Sequence, residues 1–222
     1  VENRSKCWYE EVCQRYGKNC QNMCIRYKEM RYLMDNSNLP PKKQWPQKLD
    51  APECDLDAYY RLADIKADIA NFVQEGKSLY LASGHTGNGK TTWAIKLMHS
   101  YFDQIWGGNG FKPRAIFVHT PTFLIKCKDF NNKDPEFERL RKLITTIDLV
   151  VWDDIGCGGM SNYDYSQLIM AIDARSNACL SNIYTGNITT IESLSKAVGS
   201  KIASRVFSQD TEVIIFKGGD MR

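Results

Sequence analysis

The sequence predicts an α/β fold built on a parallel five-stranded sheet flanked by helices. Three observations predict it. Short apolar runs of strand length alternate with longer segments of helical periodicity, the pattern of strands buried on both faces. A glycine-rich G-x-x-x-x-G-K-T run at Gly84–Thr91 stands between one such strand and a helix. A second apolar strand, Leu149–Trp152, ends on the acid pair Asp153–Asp154.

The elements follow in order along the 222 residues. Residues 1–35 read as a Cys-rich, partly helical appendage. Residues 36–56 read as a linker, because four of the seven prolines (Pro40, Pro41, Pro46 and Pro52) fall there. Residues 57–222 read as the main domain. Asp57 caps a helix running to about Gln74, with Tyr60, Ala63, Ile65, Ile69 and Phe72 on or near one face and Gly76 as its stop. Ser78–Ser83 is a short buried strand, and the next helix starts at about Lys90 and continues to about Gln104. Ala115–His119 is a strand, followed by helices near Thr122–Phe130 and Pro135–Thr146. Leu149–Trp152 is a strand, Tyr163–Ala178 a helix with Leu168, Ile169 and Ile172 facing inward, and Ser181–Thr185 a strand. Ile191–Phe207 is mostly helix, and Glu212–Phe216 is the last strand.

Composition excludes several classes. No stretch approaches the roughly 18 to 20 apolar residues of a membrane span. The first residues, VENRSKCWYEE, hold no apolar signal region, which predicts a cytoplasmic protein. The net charge of +3 is too small to argue for nucleic acid alone. Its distribution is uneven: residues 1–50 carry ten Lys/Arg against six Asp/Glu.

Gly84–Thr91 is a phosphate-binding P-loop. Glycines let backbone N–H groups converge on a phosphate, and the helix N-terminus adds positive potential. The expected nucleotide contacts are Gly84, His85, Thr86, Gly87, Asn88, Gly89, Lys90, Thr91 and Thr92. Lys90 places a charge at the β/γ-phosphates of ATP, and the Thr91 hydroxyl ligates Mg²⁺. Asp153, emerging from its strand, is the metal-side carboxylate, acting through water. Asp154 polarises the attacking water. Asn187, just beyond Ser181–Thr185, reads as a γ-phosphate sensor or a turn residue. Arg205 reads as an arginine finger for a neighbouring subunit or a surface ion pair, with Lys201 and Arg222 weaker candidates for the same task.

Four of the eight cysteines, Cys7, Cys13, Cys20 and Cys24, fall within 18 residues. In a reduced compartment this predicts a Cys₄ zinc site, since four thiolates complete a tetrahedron and a metal staples a segment too short for its own core. An iron–sulfur cluster and unrelated buried thiols are the alternatives. Lys126, Lys128, Arg139, Arg141 and Lys142, near Phe123, Phe130 and Phe137, suit single-stranded DNA or equally the solvated faces of two helices.

GHTGNGKT, DLVVWDDIG, NIYTGN and KIASRVF, in that order, resemble the AAA+ ATPases that load bacterial and phage replicative helicases, the DnaC/DnaI type. The resemblance spans residues 57–217. It implies an AAA+ P-loop core without a C-terminal helical lid and a nucleotide-controlled machine that places a replicative helicase on single-stranded DNA. It also implies assembly into a homo-oligomer in the ATP state, with Arg205 reaching a neighbour's nucleotide and Cys7–Cys24 contacting the helicase. Many AAA+ proteins place Glu where this chain has Asp154. The shorter side chain implies slow or partner-dependent hydrolysis. A transposition-associated AAA+ ATPase (IstB-like), a small-molecule P-loop kinase and a non-hydrolysing ATP-bound adaptor are the rival readings.

Overall fold

In the computed structural model, which describes residues 7–11, 13, 24–45, 48–129 and 134–220, five strands form one parallel sheet. They are β1 (Ser78–Ser83), β2 (Ala115–His119), β3 (Leu149–Asp153), β4 (Ser181–Gly186) and β5 (Thr211–Phe216), ordered β2-β3-β4-β1-β5. Every pairing is parallel, with Leu79 opposite Ile183, Val151 opposite Ile183 and His119 opposite Asp153. The central strands are closed to solvent: Leu149, Val150, Val151 and Trp152 are all 0% exposed. Burying each such side chain stabilises the fold by about 1.5–3 kcal/mol.

Strand alternation divides the core. Leu79, Leu81, Leu149, Val151 and Ile183 face one layer, and Tyr80, Ala82, Val150, Trp152 and Tyr184 the other. The first layer is closed by α1 (Ile25–Asp35), α2 (Leu56–Ala67), α3 (Ile69–Gln74) and α4 (Lys90–Ile105). The second is closed by α5 (Thr120–Lys128), α6 (Pro135–Ile144), α7 (Asn162–Asn177), α8 (Ile191–Val198) and α9 (Ser200–Val206). No helix among the described residues is long and apolar enough to cross a membrane.

Two helices expected as continuous are broken. The Asp57–Gln74 segment divides at Asp68, whose backbone leaves the helical region (φ −126°, ψ 35°) and whose carboxylate accepts from Asn71 Nδ2 at 2.7 Å. A short acid that bonds locally competes with helix continuation. The inward face also differs: Leu62 is fully buried, while Tyr60 is 67% exposed. The Ile191–Phe207 segment divides at Gly199, which takes φ 88°.

The N-terminal residues share this core. Met30, Leu33 and Met34 of α1, and Leu39 within the Pro-rich stretch, join the apolar layer of α4. The same stretch covers the outer edge of β2: Phe117 N–H donates to Ser37 O, and Asn38 Nδ2 donates to Phe117 O, both at 2.7 Å. Pairing an edge strand in this way removes a surface open to aggregation. Farther along, buried Asp55 accepts from the Lys217 and Gly218 backbone N–H groups and fixes the exit of β5.

Candidate functional site

The C-terminal ends of β1, β3 and β4 open onto one crevice, where open α/β sheets carry their ligands. The Gly84–Thr91 loop leaves β1 there and feeds α4. Gly87 (φ 76°) and Gly89 (φ 85°) occupy the left-handed region that glycine enters without strain. At Gly87 a methyl group would also collide with Asp220, whose Oδ1 would lie 2.0 Å away. Ser83 Oγ accepts from His85 N–H at 3.0 Å and from the buried Asn88 side chain, so the loop is held in shape by its own residues.

Lys90 lies inside this loop. Its ammonium donates to His85 O and to Asn88 Oδ1, each at 2.9 Å. Burial pushes its pKa down, and Asp154 and Asp153 oppose that shift. A buried cation held by neutral oxygens is poised for a stronger anionic acceptor.

Asp153, 4% exposed, is the hub of the crevice. Its Oδ1 accepts from Thr91 Oγ1 and from Thr185 Oγ1, both at 2.7 Å. Thr185 Oγ1 also accepts from Asp154 N–H at 3.0 Å, so one hydroxyl on β4 fixes both acids. Asp154 adopts φ 59°, a conformation costly for a residue with a side chain and one that marks functional turns. Its Oδ2 lies 3.6 Å from His119 Nε2, and His119 Nδ1 is 2.7 Å from Thr122 Oγ1. Ligand atoms of His119, Asp153 and Asp154 all lie within 4.8 Å of one another. With the Thr91 hydroxyl alongside, the carboxylate oxygens of Asp153 and Asp154 suit a hard divalent cation such as Mg²⁺, which prefers oxygen ligands.

Lys90, Thr91, Asp153 and Asp154, all singled out from the sequence, are therefore brought together. His119 and Thr185 are additions. Both end strands that flank Asp153, and their place at strand ends was the only available signal. Gly84, His85 and Thr86 line the exposed lip of the loop, and Thr92 is half-buried. Asn187 is exposed just past β4 and makes no side-chain hydrogen bond among the described residues. Arg205 points to the surface of α9 and pairs with Asp173 of α7, Nε to Oδ1 at 2.8 Å.

This chain shares its fold with solved structures of replication proteins. It superposes on the DnaC helicase loader with a TM-score of 0.60 at 19% identity, covering 86% of this chain and 99% of that one. A candidate primosome component from Streptococcus pyogenes serotype M3 gives 0.63 at 17%, covering 86% and 98%. DnaI gives 0.58 at 14%, covering 88% and 93%. No protein-family profile matches the sequence, and no curated protein matches it. The likeness to these structures is one of architecture.

The zinc expectation finds no support in this fold. Cys7, Cys13 and Cys24 form no metal-binding group among the described residues; Cys20 lies outside them, as does Arg222. Cys13 and Cys24 are exposed, and Cys7 packs against the core. Of the basic residues after β2, Arg139 donates to Asn36 Oδ1, Lys142 makes no ion pair among the described residues, and the other three form ion pairs. Lys128 pairs with Asp164 at 2.8 Å, Arg141 with Glu138 at 3.3 Å and Lys126 with Asp134 at 3.8 Å. Phe123 and Phe137 are core residues, and Phe130 lies outside the described residues.

Proposed function

We propose that the chain is an ATP-dependent helicase loader that binds a replicative helicase and helps place it on single-stranded DNA during replication initiation. The observation that carries this reading is the pairing of a DnaC-like architecture along most of the chain with a P-loop centre joined through Thr91, Asp153 and Thr185. Lys90, released from His85 and Asn88, would hold the β/γ-phosphates of ATP. Thr91 and Asp153 would hold Mg²⁺, Asp153 through water. Asp154 would orient the attacking water, with His119 steering its carboxylate. Asn187 stands at the mouth of the site as a candidate γ-phosphate sensor. Arg205, exposed on α9, would leave its pair with Asp173 to serve a neighbouring copy's nucleotide in a homo-oligomeric ATP state.

The test is a pull-down with the full chain, Mg²⁺ and a non-hydrolysable ATP analogue. A replicative helicase retained with the analogue, and lost with the Lys90→Ala variant, is the expected result. Recovery of a transposase instead, or phosphate transfer to a nucleoside or metabolite in a kinase panel, would overturn it. Mixing Arg205→Ala with Lys90→Ala protein tests the shared site: the mixture should recover part of the activity that each lacks.

A further inference from the structure

A cavity of about 350 Å³ opens along the flank of α4, between that helix, α2 and the N-terminal residues. It has room for on the order of ten waters at roughly 30 Å³ each. Among the described residues, four buried polar atoms on its lining residues make no well-formed hydrogen bond: Tyr9 Oη, Arg26 Nε, Trp93 Nε1 and His99 Nε2, with looser contacts of Tyr9 to Arg26, Trp93 to Tyr59 and His99 to the Lys43 backbone. Tyr9, Trp93 and His99 are only 7%, 6% and 9% exposed. Buried polar groups are nearly always satisfied, so a polar ligand in this cavity would complete bonds that its lining makes only loosely.

The charges at the cavity are also unbalanced. Arg26 lies flat over Tyr9, 3.5 Å from the ring centroid, and is paired with Asp103 at 2.6 Å. Lys66 and Lys96 also line the cavity and make no ion pair among the described residues. Lys96 sits 5.0 Å from the Trp93 ring centroid, and burial together with Lys66 works against its charge. With Asp103, the one acid among the described lining residues, engaged by Arg26, the two neighbouring ammonium groups suit an anion. The Trp8 and Trp93 rings beside them, Trp8 itself stacked on Trp45 at 4.8 Å, suit a planar group. A cavity of this size with a few convergent polar groups is typical of a small-ligand site.

We propose that this cavity binds one nucleotide unit, a flat base carrying a phosphate, at a site separate from the P-loop. The base lies against the Trp8 and Trp93 rings, with its edge toward His99 and Tyr9. The phosphate lies between Lys66 and Lys96. The unit comes either from a free mononucleotide or from one residue of a single strand. The proposal does not depend on the loader reading, and the two can fail separately.

The experiment uses the full chain with Mg²⁺ and a saturating non-hydrolysable ATP analogue, so that the P-loop is occupied. The probes are the four deoxynucleoside 5′-monophosphates, the matching nucleosides, and a labelled single-stranded oligodeoxynucleotide. At least one monophosphate or the oligonucleotide should bind, and the Lys66→Glu/Lys96→Glu variant should bind at least tenfold more weakly. Where a monophosphate binds, its nucleoside should also bind at least tenfold more weakly. Binding of a monophosphate assigns a free nucleotide; binding of the oligonucleotide alone assigns a strand. Absence of binding by all probes at millimolar concentration, or equal binding by the variant, overturns the proposal. If the variant does not fold, photo-crosslinking of the bound probe to the wild-type chain decides. Adducts on Trp8 or Trp93 support the site, and adducts confined to other segments overturn it.

Discussion

The Thr185 hydroxyl donates to Asp153 Oδ1 at 2.7 Å and accepts from the Asp154 backbone N–H at 3.0 Å. One side chain on β4 thus sets the position of both acids at the end of β3. Thr185→Val keeps the shape and removes both bonds. A hydrogen bond to a charged group is worth about 1.5–3 kcal/mol. ATP turnover should therefore fall roughly ten- to a hundredfold, with nucleotide affinity changed much less, and Thr185→Ser should restore it. Steady-state hydrolysis with a parallel equilibrium binding assay checks this. Equal loss of affinity and turnover would show that Thr185 only supports the fold.

Much of the fold was legible because its signals are local. β1 and β2 end where the apolar runs end, and the loop between β1 and α4 announces itself by glycine spacing. The breaks at Asp68 and Gly199 were less legible, since apolar periodicity continues through both. The site divided in the same way. Lys90, Thr91 and Asp153 are fixed by motif and strand position. His119 and Thr185 acquire their roles only from strand order, which places β2 and β4 on either side of β3. Of the basic residues after β2, Lys126, Lys128 and Arg141 meet the acids Asp134, Asp164 and Glu138 only through helix geometry and packing.

His119 faces Asp154 across 3.6 Å and is braced by Thr122. The contact is half-exposed and carries little stability. Its consequence is orientation. His119→Ala should leave the melting temperature within about 2 °C of wild type, since exposed substitutions usually stay within about 0.5 kcal/mol. It should lower turnover, and His119→Asn should recover part of it. An unchanged hydrolysis rate in His119→Ala would remove His119 from the site.

Arg175 is 0% exposed and sits beneath the sheet, far from the crevice. Its guanidinium donates to Asn182 Oδ1 at 2.6 Å, to the carbonyls of Ile144 and Ile147 at 2.8 Å, and to the carbonyls of Asp148 and Ser181. Burial pushes its pKa down to about 10, so it stays charged at neutral pH. Arg175→Leu would strand several buried acceptors, each costing about 1–3 kcal/mol. The expected loss is about 3–5 kcal/mol, read as a lower urea midpoint. Arg175→Lys should recover little, because one ammonium cannot reproduce the fork. A loss below about 1 kcal/mol would mean that water replaces the cage.

His99, on the cavity face of α4, gives the stability a defined pH dependence. Burial pushes its pKa from 6.5 down to about 4, and a backbone contact with Lys43 only partly opposes this. The unfolded chain therefore takes up the proton first as the pH falls. The stabilisation is complete above about pH 6.5 and is lost between there and about pH 4. At about 1.4 kcal/mol per pH unit the loss amounts to roughly 3 kcal/mol. His99→Gln cannot titrate, so the wild-type minus variant difference in unfolding free energy should shrink by that amount between pH 7 and pH 4. Urea unfolding at several pH values measures it. Parallel pH profiles for the two proteins would show that water enters the cavity well enough to keep His99 at an ordinary pKa.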